Sequence, residues 1–359
     1  MTAIHIKFPA LTLKAGPRAF ARIREQGLSA ADVGTLPGAA GGPKALGIQG
    51  LDLALFGEWL PAAPRERSLI GASVGSWRFA SACLPDAAEG IRRLGRLYTE
   101  QDFNKGVTMA QISQSSRRML EELLDGRDSA ILDNAHYRLN IMVVKSHGRL
   151  AQDHRGHLGL GLSTVIADNL RNRSRLSRHF ERLIIHDPRL PPPVHPLTDF
   201  PSRFVALNAA NLRQALLASG SIPMVMEGVR DLPGAGAGTF RDGGLLDYHL
   251  DLPYSGNDIV LYPHFTDRII PGWFDKPLPW RRACSTRLQD VLLLAPSRQY
   301  LARLPFGKLP DRNDFKRFMG DAPSRQKYWR VAMDESRRLG DEFLELAANG
   351  RLGERLLTL

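Results

Sequence analysis

Cysteine is nearly missing: the 359 residues contain only Cys83 and Cys284, far apart and without metal-ligand spacing. That excludes a disulfide scaffold and a cysteine-based zinc site, and it suits a reducing compartment. Long apolar runs are missing as well. No stretch of about 18 apolar residues occurs, so no membrane-spanning helix is predicted. The first ten residues, MTAIHIKFPA, lack the charged start, apolar centre and small-residue cleavage site of a secretory signal. The expected location is cytoplasmic, with room for peripheral contact at membranes.

Nucleotide-binding signatures are absent too. In PGAAGGPKA, Gly38 is followed by only two residues before Gly41, and Lys44 precedes Ala45 rather than Ser or Thr, so this is no Walker A loop. The G-x-G-x-x-G spacing of a dinucleotide fingerprint is not found either. The densest basic run, RNRSRLSRHFER at 171–182, carries a single aromatic, Phe180, and therefore no stacking platform. It reads as a solvated helix face, and no nucleic-acid partner is expected. His147, His154 and His157 have no carboxylate-rich or cysteine partner at helical spacing, so neither a metal nor a cofactor is expected. There are no internal repeats.

What remains is a well-mixed globular composition, 43% hydrophobic, long enough for one large domain or one domain with a helical extension. A single large domain is expected at 1–320, with a helical extension at 321–359 packed on it. The balance of 48 Lys and Arg against 37 Asp and Glu gives +11. Such an excess serves solubility or contact with something anionic, such as a phospholipid surface.

Coarse elements alternate. Residues 16–27 read as a short helix and 32–36 as a weak strand that enters the glycine-rich 37–44. From Ala45, the apolar positions Ile48, Leu51, Leu55 and Trp59 recur at helical spacing until Pro61. Residues 67–70 form a brief apolar strand and 77–83 a helix. A helical insertion spans about 89–125, with Gly126 as its C-cap. Strands are expected at 137–144, 203–207 and 258–262. The Pro-rich 188–196 reads as an extended connection, and Tyr328, Ala332, Leu339, Phe343 and Leu346 as one stripe of a C-terminal helix ended by Asn349-Gly350. Strands alternating with helices argue for α/β with a largely parallel sheet.

Three short motifs carry chemistry. GASVGS at 71–76 contains G-x-S-x-G, and Ser73 follows an apolar strand and precedes a helix whose N-terminal dipole favours developing negative charge. That strand looks like the second of the sheet. The loop Gly41-Gly42-Pro43-Lys44, between a strand and a helix, can aim successive backbone N–H groups into one concavity, although Pro43 itself cannot donate. The third, FRDGGLLD at 240–247, sets Asp242 before two glycines that permit a tight turn. Asp242 can accept the serine proton, or orient a histidine that does so.

Taken in this order, GGPK, GASVG and DGG resemble the patatin-like phospholipases, lipid acyl hydrolases with a Ser–Asp dyad. The segment ASGSIP at 218–223 resembles that family's A-S-x-A-x-P segment ahead of its catalytic Asp. The resemblance spans about 32–255 and implies a three-layer α/β/α sandwich with a largely parallel central sheet. It also implies Ser73 and Asp242 as the dyad, and Gly41, Gly42 and Lys44 as the oxyanion and substrate loop. The sequence departs from the family at Ala40, where the glycine run begins, at Lys44 for the usual Arg, and at Ala45 for a following Gly. The insertion and the chain beyond about 265 match no part of it.

The expected function is a carboxylic ester hydrolase of acyl lipids or phospholipids, working through an acyl-enzyme. One alternative is a Ser-His-Asp esterase of the α/β-hydrolase type, with His249 or His264 as base, the order that fold uses; His264 otherwise reads as a strand-end cap. The other is a degenerate basic protein that binds lipid or nucleic acid.

Overall fold

Four segments, RSLIGA, YRLNIMVVKS, IVLYP and VLLLAP, are buried at nearly every residue instead of every second one. That pattern belongs to strands covered on both faces, the interior of an α/β sheet. The computed structural model describes residues 8–103 and 105–359. Most of the N-terminal decapeptide, residues 1–7, therefore lies outside the described residues.

The chain opens with β1 (Leu11–Ala15), α1 (Pro17–Gln26) and β2 (Val33–Gly38). Past Gly41 a 3₁₀ stretch (Gly42–Ile48) leads into α2 (Gln49–Ala54) and a π turn (Leu55–Trp59), so the helix expected from Ala45 is divided among three geometries. Then come β3 (Arg67–Ala72), α3 (Val74–Ala82), α4 (Ala87–Glu100), α5 (Met109–Leu124) and α6 (Asp128–Leu132). The middle of the chain holds β4 (Tyr137–Ser146), α7 (Arg155–Arg171), β5 (Phe180–His186), β6 (Ser202–Ala206) and α8 (Leu212–Gly220). A small hairpin, β7 (Val229–Arg230) and β8 (Thr239–Asp242), precedes β9 (Ile259–Pro263) and β10 (Val291–Pro296). Last are α9 (Arg298–Arg303), α10 (Asn313–Arg317), α11 (Ala322–Glu335), α12 (Arg337–Ala348) and β11 (Leu356–Thr358).

The sheet runs β11-β1-β10-β9-β2-β3-β4-β5-β6, with β8 added on β4 and β7 on β8. From β10 through β9, β2 and β3 to β4 every neighbour is parallel. β1 is antiparallel to β10, and β5 is antiparallel to β4. Helices flank this mixed, mostly parallel sheet, giving an α/β fold consistent with a three-layer α/β/α sandwich. Because Leu11–Ala15 is itself a strand, Ser73 follows the third strand of the chain rather than the second.

Several sequence expectations are corrected. The helical insertion at 89–125 is two helices, parted by residues 101–108, where Gly106 takes φ +87° and Thr108 caps α5 by accepting the Gln111 amide at 3.2 Å. The cap of α5 is Asp125 at φ +49°, with Gly126 one residue beyond. The C-terminal helix is likewise two, divided at Ser336, whose hydroxyl accepts the Gly50 amide at 2.8 Å. The tail then adds β11 beside β1, a strand the sequence did not announce. The basic run 171–182 is no solvated helix face. It passes from the end of α7 through a 3₁₀ turn into β5, and Arg182 is fully buried between Asp247 (2.7 Å) and Asp199 (2.7 Å). Among the described residues no helix is long and apolar enough to cross a membrane.

One buried ion pair ties the two loops that matter here. Arg78 of α3 grips Asp52 of α2 with both ends of its guanidinium, Nε to Oδ2 at 2.7 Å and a terminal nitrogen to Oδ1 at 2.5 Å. Both side chains are nearly shut off from solvent, 5% and 3% exposed. Removing one partner of such a pair strands the other charge in a low-dielectric interior. Asp52→Ala is expected to cost about 3–5 kcal/mol of stability by urea unfolding. A loss below 1 kcal/mol would show that the pair holds nothing together.

Candidate active site

The register on β4 decides where the site lies. β3 runs parallel to β4 and ends with Ala72 opposite Met142. β8 runs antiparallel to the same strand and ends with Asp242 opposite Val143, the very next residue. Two strand ends thus meet head-on beside β4, and the residues emerging there are Ser73 and Asp242. Together with Gly41 and Lys44 they line one cavity of about 220 Å³.

Ser73 sits on a turn that L-residues avoid, at φ +56° and ψ −130°. Strain of this sort persists only where the surroundings over-determine it. Here they do. A Cβ on Gly75 would come to 1.9 Å from the Gly38 carbonyl oxygen, so the second glycine of G-x-S-x-G exists to let α3 start against the end of β2. The Ser73 amide donates to Ser219 Oγ at 2.9 Å, and Ser219 Oγ in turn donates to the Met142 carbonyl at 2.7 Å. Ser219 also lies 2.9 Å from Ser76 Oγ. The first serine of the ASGSIP segment is therefore the post that ties the elbow to β4, a positioning role that the sequence marked only through the resemblance.

Asp242 is held with equal care. Its amide donates to the Ser221 carbonyl at 3.1 Å, and its Oδ1 accepts the Gly244 amide at 2.7 Å. A Cβ on Gly243 would strike the Met142 carbonyl oxygen at 2.4 Å, which explains the first glycine of the D-G-G turn. Asp247, at the end of that motif, serves the buried Arg182 instead of the site. Burial pushes the Asp242 carboxyl up to about 6, while the Ser73 hydroxyl, the Arg312 charge and the Gly244 amide favour its anion. Ser73 and Asp242 thus lie close enough for the hydroxyl to favour the carboxylate anion.

The glycine-rich loop passes in front of this pair. Gly42 takes φ +57°, and among the described residues the amides of Gly41 and Gly42 donate to no protein acceptor. Ala40, by contrast, is spent on the Tyr248 carbonyl at 3.0 Å. Gly41 lines the cavity with Ser73 and Asp242, and Gly42 lines an adjoining cavity that also touches Ser73. Lys44 reaches the first cavity with its ammonium 4.9 Å from the Phe265 ring centre, and burial lowers its pKa.

The histidines are elsewhere. His249 and His264 are fully buried against each other, ring centres 4.3 Å apart, and neither lines the cavity of Ser73. Each spends Nδ1 on a backbone amide, Ile270 and Thr266 at 3.0 Å. Burial holds both neutral, His249 well below the ordinary value and His264 down to about 3. His154 and His157 pack ring to ring at 5.1 Å, and among the described residues no group of three His, Cys, Asp or Glu converges to hold a metal. Beyond the predicted residues, the cavity takes Lys276 and Arg312 from the part of the chain past 265, for which the sequence offered no motif. The chain matches no protein-family model and no curated protein.

Ser219→Ala removes the post under the elbow and leaves the Ser73 amide unpaired. The expected result is a stability loss of about 1–3 kcal/mol and labelling of Ser73 by a fluorophosphonate slowed about 10- to 100-fold. An unchanged labelling rate would mean that the elbow keeps its shape without Ser219.

Proposed function

We propose that this protein is a patatin-like serine hydrolase that cleaves carboxylic esters of acyl lipids with a Ser73–Asp242 dyad. The observation that carries the reading is the register on β4, which sets a strained serine and a buried carboxylate at one cavity beside two undonated glycine amides. Asp242, as its anion, takes the proton from Ser73 Oγ while that oxygen attacks the ester carbonyl carbon. The developing oxyanion is received by the Gly41 and Gly42 amides. The tetrahedral intermediate collapses, the alcohol departs with the proton from Asp242, and the acyl group stays on Ser73. Water then gives a proton to Asp242 and attacks the acyl-enzyme, and the proton returns to Ser73 as the acid leaves.

The triad alternative lacks geometric support, since no histidine shares the cavity with Ser73 and the two candidates are locked, neutral, in the core. A degenerate binding protein would keep the fold without reactivity. The substrate in this reading is an acyl lipid or phospholipid met by a cytoplasmic protein at a membrane surface, with no nucleic acid, metal or cofactor involved.

A fluorophosphonate probe is expected to add to Ser73 alone, as read by peptide mapping, and modification elsewhere would sink the assignment. With a short-chain nitrophenyl ester, Ser73→Ala and Asp242→Asn should both lose at least about a thousandfold in kcat/KM. His249→Gln and His264→Gln, checked for folding by circular dichroism, should stay within about tenfold, near 1.4 kcal/mol.

The dyad also has a pH signature. A base must be charged to act, so activity is present above the Asp242 pKa and lost as pH falls through about 6. Arg312 favours the anion, so Arg312→Gln should move that acid limb of the kcat/KM profile to higher pH. A limb that stays in place would remove Arg312 from the electrostatics of the base.

A further inference from the structure

The cavity beside Ser73 is crowded with cations. Lys44, Lys276 and Arg312 all line it, and among the described residues none of the three has an ion-pair partner. Deeply buried cations elsewhere are satisfied by the protein itself, Arg78 by Asp52, Arg182 by Asp247, Arg241 by Asp153, and Arg67 and Arg325 by backbone carbonyls, whereas Lys276 and Arg312 stand exposed at the rim. Of the carboxylates on the same wall, Asp242 faces Ser73 and Asp311 is held by Lys308 at 2.8 Å. The ammonium groups rest on aromatic faces instead: Lys44 on Phe265 at 4.9 Å, Lys276 between Tyr248 at 4.9 Å and Trp273 at 5.6 Å. Arg312 sits over the glycine loop, its Nε 3.0 Å from where a Cβ of Gly42 would be.

These charges work against one another. Although its side chain reaches solvent at the rim, Lys276 is brought down to about 8, first by lost hydration and then by the charges of Lys44 and Arg312. Three cations that disfavour each other, none of them ion-paired although Asp242 and Asp311 lie on the same wall, form a cup for an anion. At about 220 Å³ the cup is less than half the size of the neighbouring cavity of about 520 Å³ and suits a compact head group.

The chain has its own place. On the other side of Ser73 lies a cavity of about 520 Å³ with an apolar wall that includes Trp77, Phe103, Ile112, Met119 and Phe315. Those residues come from the start of α3, from α5 and the loop before it, and from α10. Ser73, Ile222 and Arg312 belong to both cavities, so the reacting oxygen stands at the junction.

We propose that Lys44, Lys276 and Arg312 form a phosphate subsite for the alcohol part of the substrate, while the apolar cavity receives its acyl chain. The substrate class is then an acyl ester whose alcohol carries a phosphate monoester close to the scissile bond. A head group ending in a quaternary ammonium would bring a fourth cation to the cup and is disfavoured. The inference rests on the hydrolase reading for the orientation of the ester, and on the cation geometry alone for the anion site. Lys276 and Arg312 act here as specificity-determining residues.

The test compares two monomeric substrates, the decanoyl ester of glycerol phosphate and the decanoyl ester of glycerol. The parent protein is expected to favour the phosphorylated ester at least tenfold in kcat/KM. In Lys276→Gln/Arg312→Gln, folded by circular dichroism, that ratio should fall to within about threefold of unity. Independently of turnover, calorimetry on Ser73→Ala should show binding of glycerol phosphate but not glycerol, weakened at least tenfold by the same double substitution. A parent ratio near unity, or a preference that survives the double substitution, overturns the subsite. A preference seen only with the esters embedded in vesicles also overturns it, because general attraction of a basic protein to an anionic membrane would then suffice. Binding of glycerol phosphate by a protein that cleaves neither ester and resists the fluorophosphonate would retain the subsite and overturn the hydrolase.

Discussion

The site depends on one constraint, the pairing of β4 with two strands that approach it from opposite ends. β3 stops against Met142 and β8 stops against Val143, so the two chain segments leave the sheet one residue apart. A slip of one residue in either pairing would turn the emerging side chain to the other face of the sheet. The length of β4 makes this possible. Its first residues serve β3, its last serve β8, and its opposite edge is covered by β5 from Asn140 to Ser146. The Met142 carbonyl is approached so closely by Gly243 that no Cβ fits between, and it also accepts the Ser219 hydroxyl. One strand thus aligns Ser73 and Asp242, the pair proposed as nucleophile and base, and the post beneath them.

Holding Ser73 at a positive φ costs of order 1–3 kcal/mol, which the surroundings must offset. Some of that comes from the buried hydrogen bond to Ser219, and some from the packing of Gly75 on Gly38, which would be lost if the turn relaxed. The Asp52–Arg78 pair works at longer range. It fixes the helix that follows the glycine loop to the helix that follows Ser73. The stability of the core and the geometry of the site are here the same set of contacts.

How much of this was legible depends on sequence distance. The turns around Ser73, Gly41 and Asp242 could be read because each is a contiguous stretch whose glycines have a local steric reason. The parallel sheet could be read because Val, Ile and Leu runs of strand length alternate with helical periodicity. Lys276 and Arg312 could not. They reach the cavity through tertiary packing of loops and the short α10, and nothing within a few residues of either distinguishes it from other surface cations. Arg182 misled for the mirror-image reason. Its neighbours suggest a solvated face, whereas its partners, Asp199 and Asp247, lie 17 and 65 residues away. The divided helices follow from Gly106 at positive φ and from Ser336, whose hydroxyl bonds to a distant amide. Neither break interrupts the apolar stripe that periodicity detects.

The electrostatics of the site resolve into two opposed demands on Asp242. A carboxylate in water is a weak base, and burial remedies this by lifting its pKa to about 6. Burial alone would carry it further, toward a neutral acid unable to accept the serine proton. The Gly244 amide, the Ser73 hydroxyl and the charge of Arg312 counter that drift by favouring the anion. Arg312 therefore stands in two relations at once, favouring the Asp242 anion on one side and completing the proposed cationic cup on the other. Because it comes from the tail past 265 and not from the motif-bearing part, the tail is bound into the chemistry of the site. The β11 strand beside β1 and the α12 helix against α2 anchor the rest of that tail to the same sheet and helix layer. Arg312 stands at the start of α10 and is exposed at the rim, so its place beside Gly42 depends on how that anchored tail is packed.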